Sequence, residues 1–158
     1  ISFREEVVPT DAGAVRDIVS STGFFHPHEI ETAVELVEER LARGMASGYH
    51  FVFAELDGRV AGYVCFGPIA CTELSWDCFW IAVHHEFRDQ KLGSKLLARC
   101  EARIADLGGK RIYVETSSRE QYEPTRAFYE RRDYRREAVI EEFYAPGDSK
   151  VIYVKILP

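Results

Sequence analysis

Apolar positions along the chain switch between a helical and a strand period, and each switch marks a predicted element. A short alternating run, Phe3 to Val8, predicts an opening strand. Pro9-Thr10-Asp11 interrupts it and offers Thr10 or Asp11 as a helix N-cap. Val15, Ile18 and Val19 then share one helix face, which Gly23 ends. Pro27 starts a second helix, where Ile30, Val34, Val37 and Leu41 recur at helical spacing opposite a charged face of Glu31, Glu35, Glu38, Glu39 and Arg40. From His50 the period shortens. His50 to Leu56 and Val60 to Phe66 read as strands joined by Asp57-Gly58, a hairpin signal. A third strand, about Glu73 to Val83, follows an irregular turn.

The next stretch, Trp80 to Leu97, reads as an apolar strand end, a short basic loop and the first turns of a helix. That helix buries Leu92, Leu96, Cys100, Ile104 and Leu107, and Gly108-Gly109 closes it. Arg111 to Glu115 is a short strand. A polar loop, Thr116 to Pro124, leads to a helix from Thr125 to Arg132. Two strands, Arg136 to Tyr144 and Lys150 to Leu157, flank Pro146-Gly147-Asp148, a second hairpin signal. The order is β-α-α-β-β-β-α-β-α-β-β. It predicts a single α/β (α+β) domain over 1–158, a mixed, mostly antiparallel central sheet with about four helices on its two faces.

Composition narrows the chemistry. The 158 residues are 46% hydrophobic and 29% charged, ordinary for a globular domain with a sizeable core. A formal net charge of −6 argues against nucleic acid as a partner. No apolar run approaches the ~20 residues of a membrane span, and no signal peptide is visible. The chain opens on Ile1 rather than Met, which leaves room for residues upstream. Cys65, Cys71, Cys78 and Cys100 form no CxxC pair, so no metal is expected, and reduced thiols in the cytoplasm are the simple reading.

The basic loop carries the chemistry. A strand handing its chain to a helix leaves main-chain N–H groups free at the positive end of the helix dipole, a site suited to a diphosphate. No GxxxxGK(S/T) and no early GxGxxG is present, which disfavours P-loop nucleotidases and dinucleotide folds.

Arg88-Asp89-Gln90-Lys91-Leu92-Gly93 matches the Arg/Gln-x-x-Gly-x-Gly/Ala loop that holds a pyrophosphate in the GNAT superfamily of acyl-CoA-dependent N-acetyltransferases. Arg126-Ala127-Phe128-Tyr129-Glu130-Arg131-Arg132-Asp133-Tyr134 is similar to that family's Ala-x-x-x-Tyr-Glu-x-x-Gly-Phe/Tyr helix. With the element order, the resemblance covers nearly the whole chain. Glu115, Tyr129-Glu130 and Phe143-Tyr144 look most like the branch that acetylates N-terminal amines of ribosomal and other proteins. Departures are Lys91 and Asp133 where the family has glycine, Asp89 near the proposed anion, Tyr122 for an asparagine and Thr125 for an alanine.

The resemblance implies acetyl-CoA as co-substrate and a primary amine as acceptor: a protein N-terminus, a lysine or a small amine. It implies that main-chain groups of Ile81, Ala82 and Val83 pair with the pantetheine arm. Arg88, Asp89, Gln90, Lys91, Leu92, Gly93 and Ser94 would hold the diphosphate, with Tyr122 and Arg126 as further cofactor contacts. Tyr129 would act as general acid to the departing thiolate and Glu115 as general base, with Glu73 and Asp77 as rival bases. A homodimer formed through the C-terminal strands is a further implication.

His84 and His85 read as surface groups between strand and loop, and His26 and His28 as capping or packing groups. Trp76, Trp80, Phe24, Phe25, Tyr122 and Tyr144 are available to wall an acceptor groove, with core packing as the competing reading. Glu73, Asp77, Glu120, Glu123 and Glu141 would favour a cationic amine. Two other functions compete. One is a non-catalytic acyl-CoA-binding domain of the same fold. The other is a partner-binding module using the Glu31–Glu39 face.

Overall fold

The computed structural model describes residues 1–158. In chain order its elements are β1 (Ser2–Arg4), α1 (Asp11–Ser21), α2 (Pro27–Arg43), β2 (His50–Leu56), β3 (Arg59–Pro68), β4 (Ser75–Val83), α3 (Leu92–Asp106), β5 (Arg111–Ser117), α4 (Glu123–Glu130), β6 (Arg135–Ala145) and β7 (Asp148–Ile156). Short 3-10 turns precede β2, α3 and α4. The seven strands follow the order β1-β2-β3-β4-β5-β7-β6, with β4 and β5 parallel and β1–β2, β2–β3, β5–β7 and β6–β7 antiparallel. This is the mixed, mostly antiparallel architecture that the apolar pattern predicts. No helix is long and apolar enough to cross a membrane.

The chain divides into two compact units, Ile1–Gly67 with Cys78–Arg103, and Pro68–Asp77 with Ile104–Pro158. In the first, Asp57 and Gly58 both take positive φ, 51° and 76°, as a two-residue hairpin turn demands. Phe51, Phe53, Tyr63 and Cys65 on one face of β2 and β3 form a core with Val15, Ile18 and Val19 of α1 and Ala33, Val34 and Val37 of α2. Leu96 of α3 sits close to Gly62 of β3, where an added Cβ would come within 3.2 Å of it. Cys65, Cys78 and Cys100 are buried, and Cys71 is exposed.

Several boundaries differ from the predicted ones. β1 ends at Arg4 rather than Val8. The Arg4 guanidinium leaves the sheet to donate to both oxygens of the fully buried Asp11, at 2.8 and 2.9 Å. Asp11 also accepts from the Val8 N–H at 2.8 Å, so this ion pair bends the chain away from the strand. Asp11 thus binds inward as the first residue of α1, while Thr10 is its N-cap without a side-chain bond.

In the second unit, β5 is flanked by β7 and, in parallel, by Ser75–Asp77 of β4. Ile112, Val114, Val151 and Tyr153 are buried there. The stripe predicted for α3 holds through Ile104, but Leu107 is 43% exposed. The helix ends at Asp106, and Gly109 fills the place beside Trp76, where an added Cβ would lie 2.6 Å from the indole. α4 begins two residues earlier than predicted, because Pro124 occupies the first helical turn instead of closing the loop.

Candidate active site

In the first unit the feature that organises chemistry is the passage from β4 into α3. A 3-10 turn, His85–Gln90, follows the strand, and Lys91 then takes a left-handed conformation, φ 56° and ψ 29°. The Lys91 carbonyl accepts from the Lys95 N–H at 3.3 Å and from the Ser94 hydroxyl at 3.0 Å, so the helix starts here. The N–H groups of the first helical turn have no partner within the helix. They stand at the positive end of fifteen aligned peptides. Arg88, Asp89, Gln90 and Lys91 are exposed, Gly93 and Ser94 are half-buried, and Leu92 turns into the core.

This donor set suits a diphosphate: main-chain N–H groups for the oxygens, with two cationic side chains beside them. Lys91 stands at the family's glycine position and keeps a glycine's conformation, at a cost of about 1 kcal/mol for its Cβ.

Upstream, Ala82 is buried and Ile81 and Val83 are half-buried. His84 and His85 are tied into the turn: the His84 Nδ1 accepts from the Glu86 N–H at 3.2 Å, and the His85 N–H donates to the Ser21 hydroxyl at 3.1 Å. His26 caps α2, with its N–H donating to Glu29 Oε1 at 2.9 Å, and its ring stacks on His28. Phe25 and Trp80 meet edge to face at 5.0 Å, and Phe24 is exposed.

In the second unit, Tyr129 lies near the end of α4 and is 5% exposed. Its ring meets those of Phe128, Tyr134 and Tyr153 at 5.3, 5.4 and 6.3 Å. Its position is fixed by the turn after the helix. The Tyr134 N–H donates to the Tyr129 carbonyl at 3.1 Å, and the Asp133 N–H to the Glu130 carbonyl at 3.3 Å. With Asp133 at φ 68°, this is a Schellman closure. Asp133, like Lys91, replaces a family glycine and keeps its geometry.

Glu115 is an exposed residue of β5, and one oxygen is held by the Lys150 ammonium at 3.1 Å. Asp77 of β4 is half-buried. Burial foremost, then the charge of Glu115, raises its carboxyl above the ordinary aspartate range, while Lys150 acts in the opposite direction. The structure therefore groups two of the three base candidates, Glu115 and Asp77, with a lysine that sequence reasoning missed. The antiparallel register that sets Glu115 opposite Ile152 and Ser117 opposite Lys150 brings it there, and no local feature of the sequence marks that register.

Glu73 lies exposed in the turn before β4. Arg126 spends its guanidinium on the carbonyls of Ser117 and Arg119, at 2.7 and 3.0 Å, which secures the loop between β5 and α4. Tyr122 is half-buried in that loop, beneath the Arg119 guanidinium. No cluster of three or more His, Cys, Asp or Glu side chains with metal-binding geometry is present.

Residues 15–134 match the model of the acetyltransferase (GNAT) family. A crystal structure assigned as an acetyltransferase of the GNAT family from Desulfovibrio desulfuricans is 47% identical, with a TM-score of 0.97 and 98% of each chain covered. An aminoglycoside 6′-N-acetyltransferase complexed with coenzyme A has the same fold at 18% identity, with a TM-score of 0.79, covering 100% of this chain and 98% of its own. So does the ribosomal-protein-S18-alanine N-acetyltransferase from Escherichia coli, at 16% identity and a TM-score of 0.77, covering 98% and 92%. No curated protein matches the chain. The family match over residues 15–134, most of the chain, and the 47% identical acetyltransferase structure place this protein in the GNAT acetyltransferase family.

Proposed function

We propose that the chain moves an acetyl group from acetyl-CoA to a primary amine by direct attack of the amine on the thioester. The observation that carries this reading is the Lys91 turn: a left-handed residue opening a fifteen-residue helix beside exposed Arg88 and Lys91, in a member of an acetyltransferase family. Main-chain groups of Ile81, Ala82 and Val83 receive the pantetheine arm as an added strand would. The N–H groups of residues 88–94 hold the diphosphate. Tyr122, just before α4, and Arg126, in its first turns, adjoin the cofactor.

The neutral amine nitrogen attacks the thioester carbon, and the carbonyl oxygen becomes an oxyanion polarised by a main-chain N–H, that of Val83. Glu115 takes the proton that the attacking nitrogen sheds. The carbon–sulfur bond then breaks, and the Tyr129 phenol gives its proton to the thiolate. The products are the N-acetyl amide and the CoA thiol.

The alternative, a non-catalytic acyl-CoA-binding domain, draws on Lys91 and Asp133 as replacements for glycine. Both residues keep the left-handed φ that glycine would supply, so the replacements give no reason to prefer it. The N-terminal-amine branch, suggested by Glu115, Tyr129 and Phe143-Tyr144, makes an alanine-initiated peptide the first acceptor to try. A cytoplasmic location and a homodimer belong to the same reading. The homodimer is supported by β6, a sheet-edge strand whose residues are all exposed.

The test is thiol release from acetyl-CoA over a panel of an alanine-initiated peptide, Nα-acetyl-lysine amide, propylamine and an aminoglycoside. The reading requires amine-dependent release with at least one of them. CoA binding with no release on any amine would favour the non-catalytic alternative.

A further inference from the structure

One side chain beside the acceptor carboxylates has no role in this scheme, although its surroundings are unusual for a lysine. Lys150 on β7 stands opposite Ser117 on β5 and Ile140 on β6, which makes it a diagonal neighbour of Glu115 on one face of the sheet. Its side chain is only 14% exposed. A lysine so enclosed requires partners for its charge. It has two: a Glu115 oxygen at 3.1 Å and the Phe143 ring of β6, whose centroid lies 3.9 Å from the ammonium. The Glu115 side chain is itself half exposed, so one oxygen is fixed while the group still faces solvent.

Asp77 reaches the same face through its parallel pairing with Tyr113. From the elements that meet there, β4 brings Asp77, β5 brings Arg111, Tyr113 and Glu115, β7 brings Lys150, and β6 brings the Phe143 ring to Lys150. Glu115 and Lys150 are the charges that act on Asp77, in opposite senses.

We infer that Lys150 is a positioning and specificity-determining residue of the acceptor site: held between Glu115 and Phe143, it orients the Glu115 carboxylate and leaves Asp77, Glu115 and Lys150 together with one net negative charge, matched to a singly charged amine rather than a polyamine. This rests on the reading of Glu115 as general base. Burial foremost and then the Glu115 charge raise the Asp77 carboxyl, and the Lys150 ammonium pulls it back down.

The experiment compares the wild type with Lys150→Met, which keeps the length and loses the charge, and Lys150→Arg, which keeps the charge. Carboxyl-detected NMR follows the Asp77 titration. Kinetics follow the acid limb of kcat/KM on the best amine of the panel, and the kcat/KM ratio of 1,3-diaminopropane to propylamine. The Lys150→Met change should raise both the Asp77 midpoint and the acid limb by about one pH unit and increase the diamine ratio about tenfold. Lys150→Arg should restore all three to wild-type values. A lysine with a purely structural part would lower stability and leave the pH limb in place. An unmoved Asp77 midpoint, or an unmoved limb with the midpoint shifted, overturns the inference while leaving acetyl transfer standing. Absence of turnover in the wild type itself overturns the acetyl-transfer reading and this inference together.

Discussion

Asp77 carries its cost in the ground state of the fold. Its carboxyl is raised chiefly by burial, so ionising it is harder in the folded chain than in the unfolded one. Its contribution to stability is therefore full below the ordinary aspartate range and declines as pH rises through that range towards the higher folded value. Asp77→Asn should melt at higher temperature than the wild type at pH 7, and the gap should close near about pH 3, below the ordinary aspartate value. Equal melting temperatures at both pH values would contradict this. A group that weakens the fold and sits beside the proposed base fits the usual exchange of stability for activity.

Lys91 carries a cost of a different kind, in its left-handed backbone. Lys91→Gly should gain up to about 1 kcal/mol in denaturant unfolding by relieving the left-handed Cβ. The gain is partly offset by the greater freedom of glycine in the unfolded chain. The same change removes an ammonium beside the proposed diphosphate, so CoA affinity measured by calorimetry should fall about fivefold, and Lys91→Ala should lose as much. A loss in neither variant would assign phosphate binding to the main chain alone.

At the scale of elements, the close approaches decide which substitutions the fold tolerates. Gly67 closes β3 against the backbone of Gly48, where an added Cβ would lie 2.2 Å from the Gly48 carbonyl oxygen. Gly67→Ala must displace main chain and should cost about 3 kcal/mol in chemical denaturation. Asp11 is equally constrained. Asp11→Ala takes away both carboxylate bonds of the Arg4 guanidinium to the helix, leaving it Glu55 and the Glu6 carbonyl, and strips the Val8 N–H of its acceptor; it should cost about 3 kcal/mol, seen as a lowered denaturation midpoint at unchanged slope.

These features also mark where the sequence was readable. The order of elements followed from apolar spacing because each element buries one face, and Asp57-Gly58, Pro27 and Gly108-Gly109 punctuate them by local chemistry. The end of β1 was not readable, because the Arg4–Asp11 pair that bends the chain joins residues on either side of a turn. Leu107 misled because helical spacing continues past the point where the helix ends. In the site, the Lys91 turn and the Tyr129 helix were legible as local motifs. The pairing of Glu115 with Lys150 was not, because it depends on the register of two strands 35 positions apart in sequence.

The whole molecule brings a family fold, a helix N-terminus suited to a diphosphate, and a tyrosine fixed by a Schellman closure under one functional reading. Its central claim is that acetyl passes directly from thioester to amine, with the Tyr129 phenol as the proton source for the thiolate. Tyr129 is also a packing residue, so the variant must keep the ring and lose only the hydroxyl. The most direct measurement is kcat for amine-dependent thiol release by Tyr129→Phe, taken beside its CoA affinity. With the phenol as proton source, kcat should fall by roughly 10²-fold or more with CoA affinity within about twofold of wild type. Wild-type turnover in Tyr129→Phe would contradict that role of the phenol.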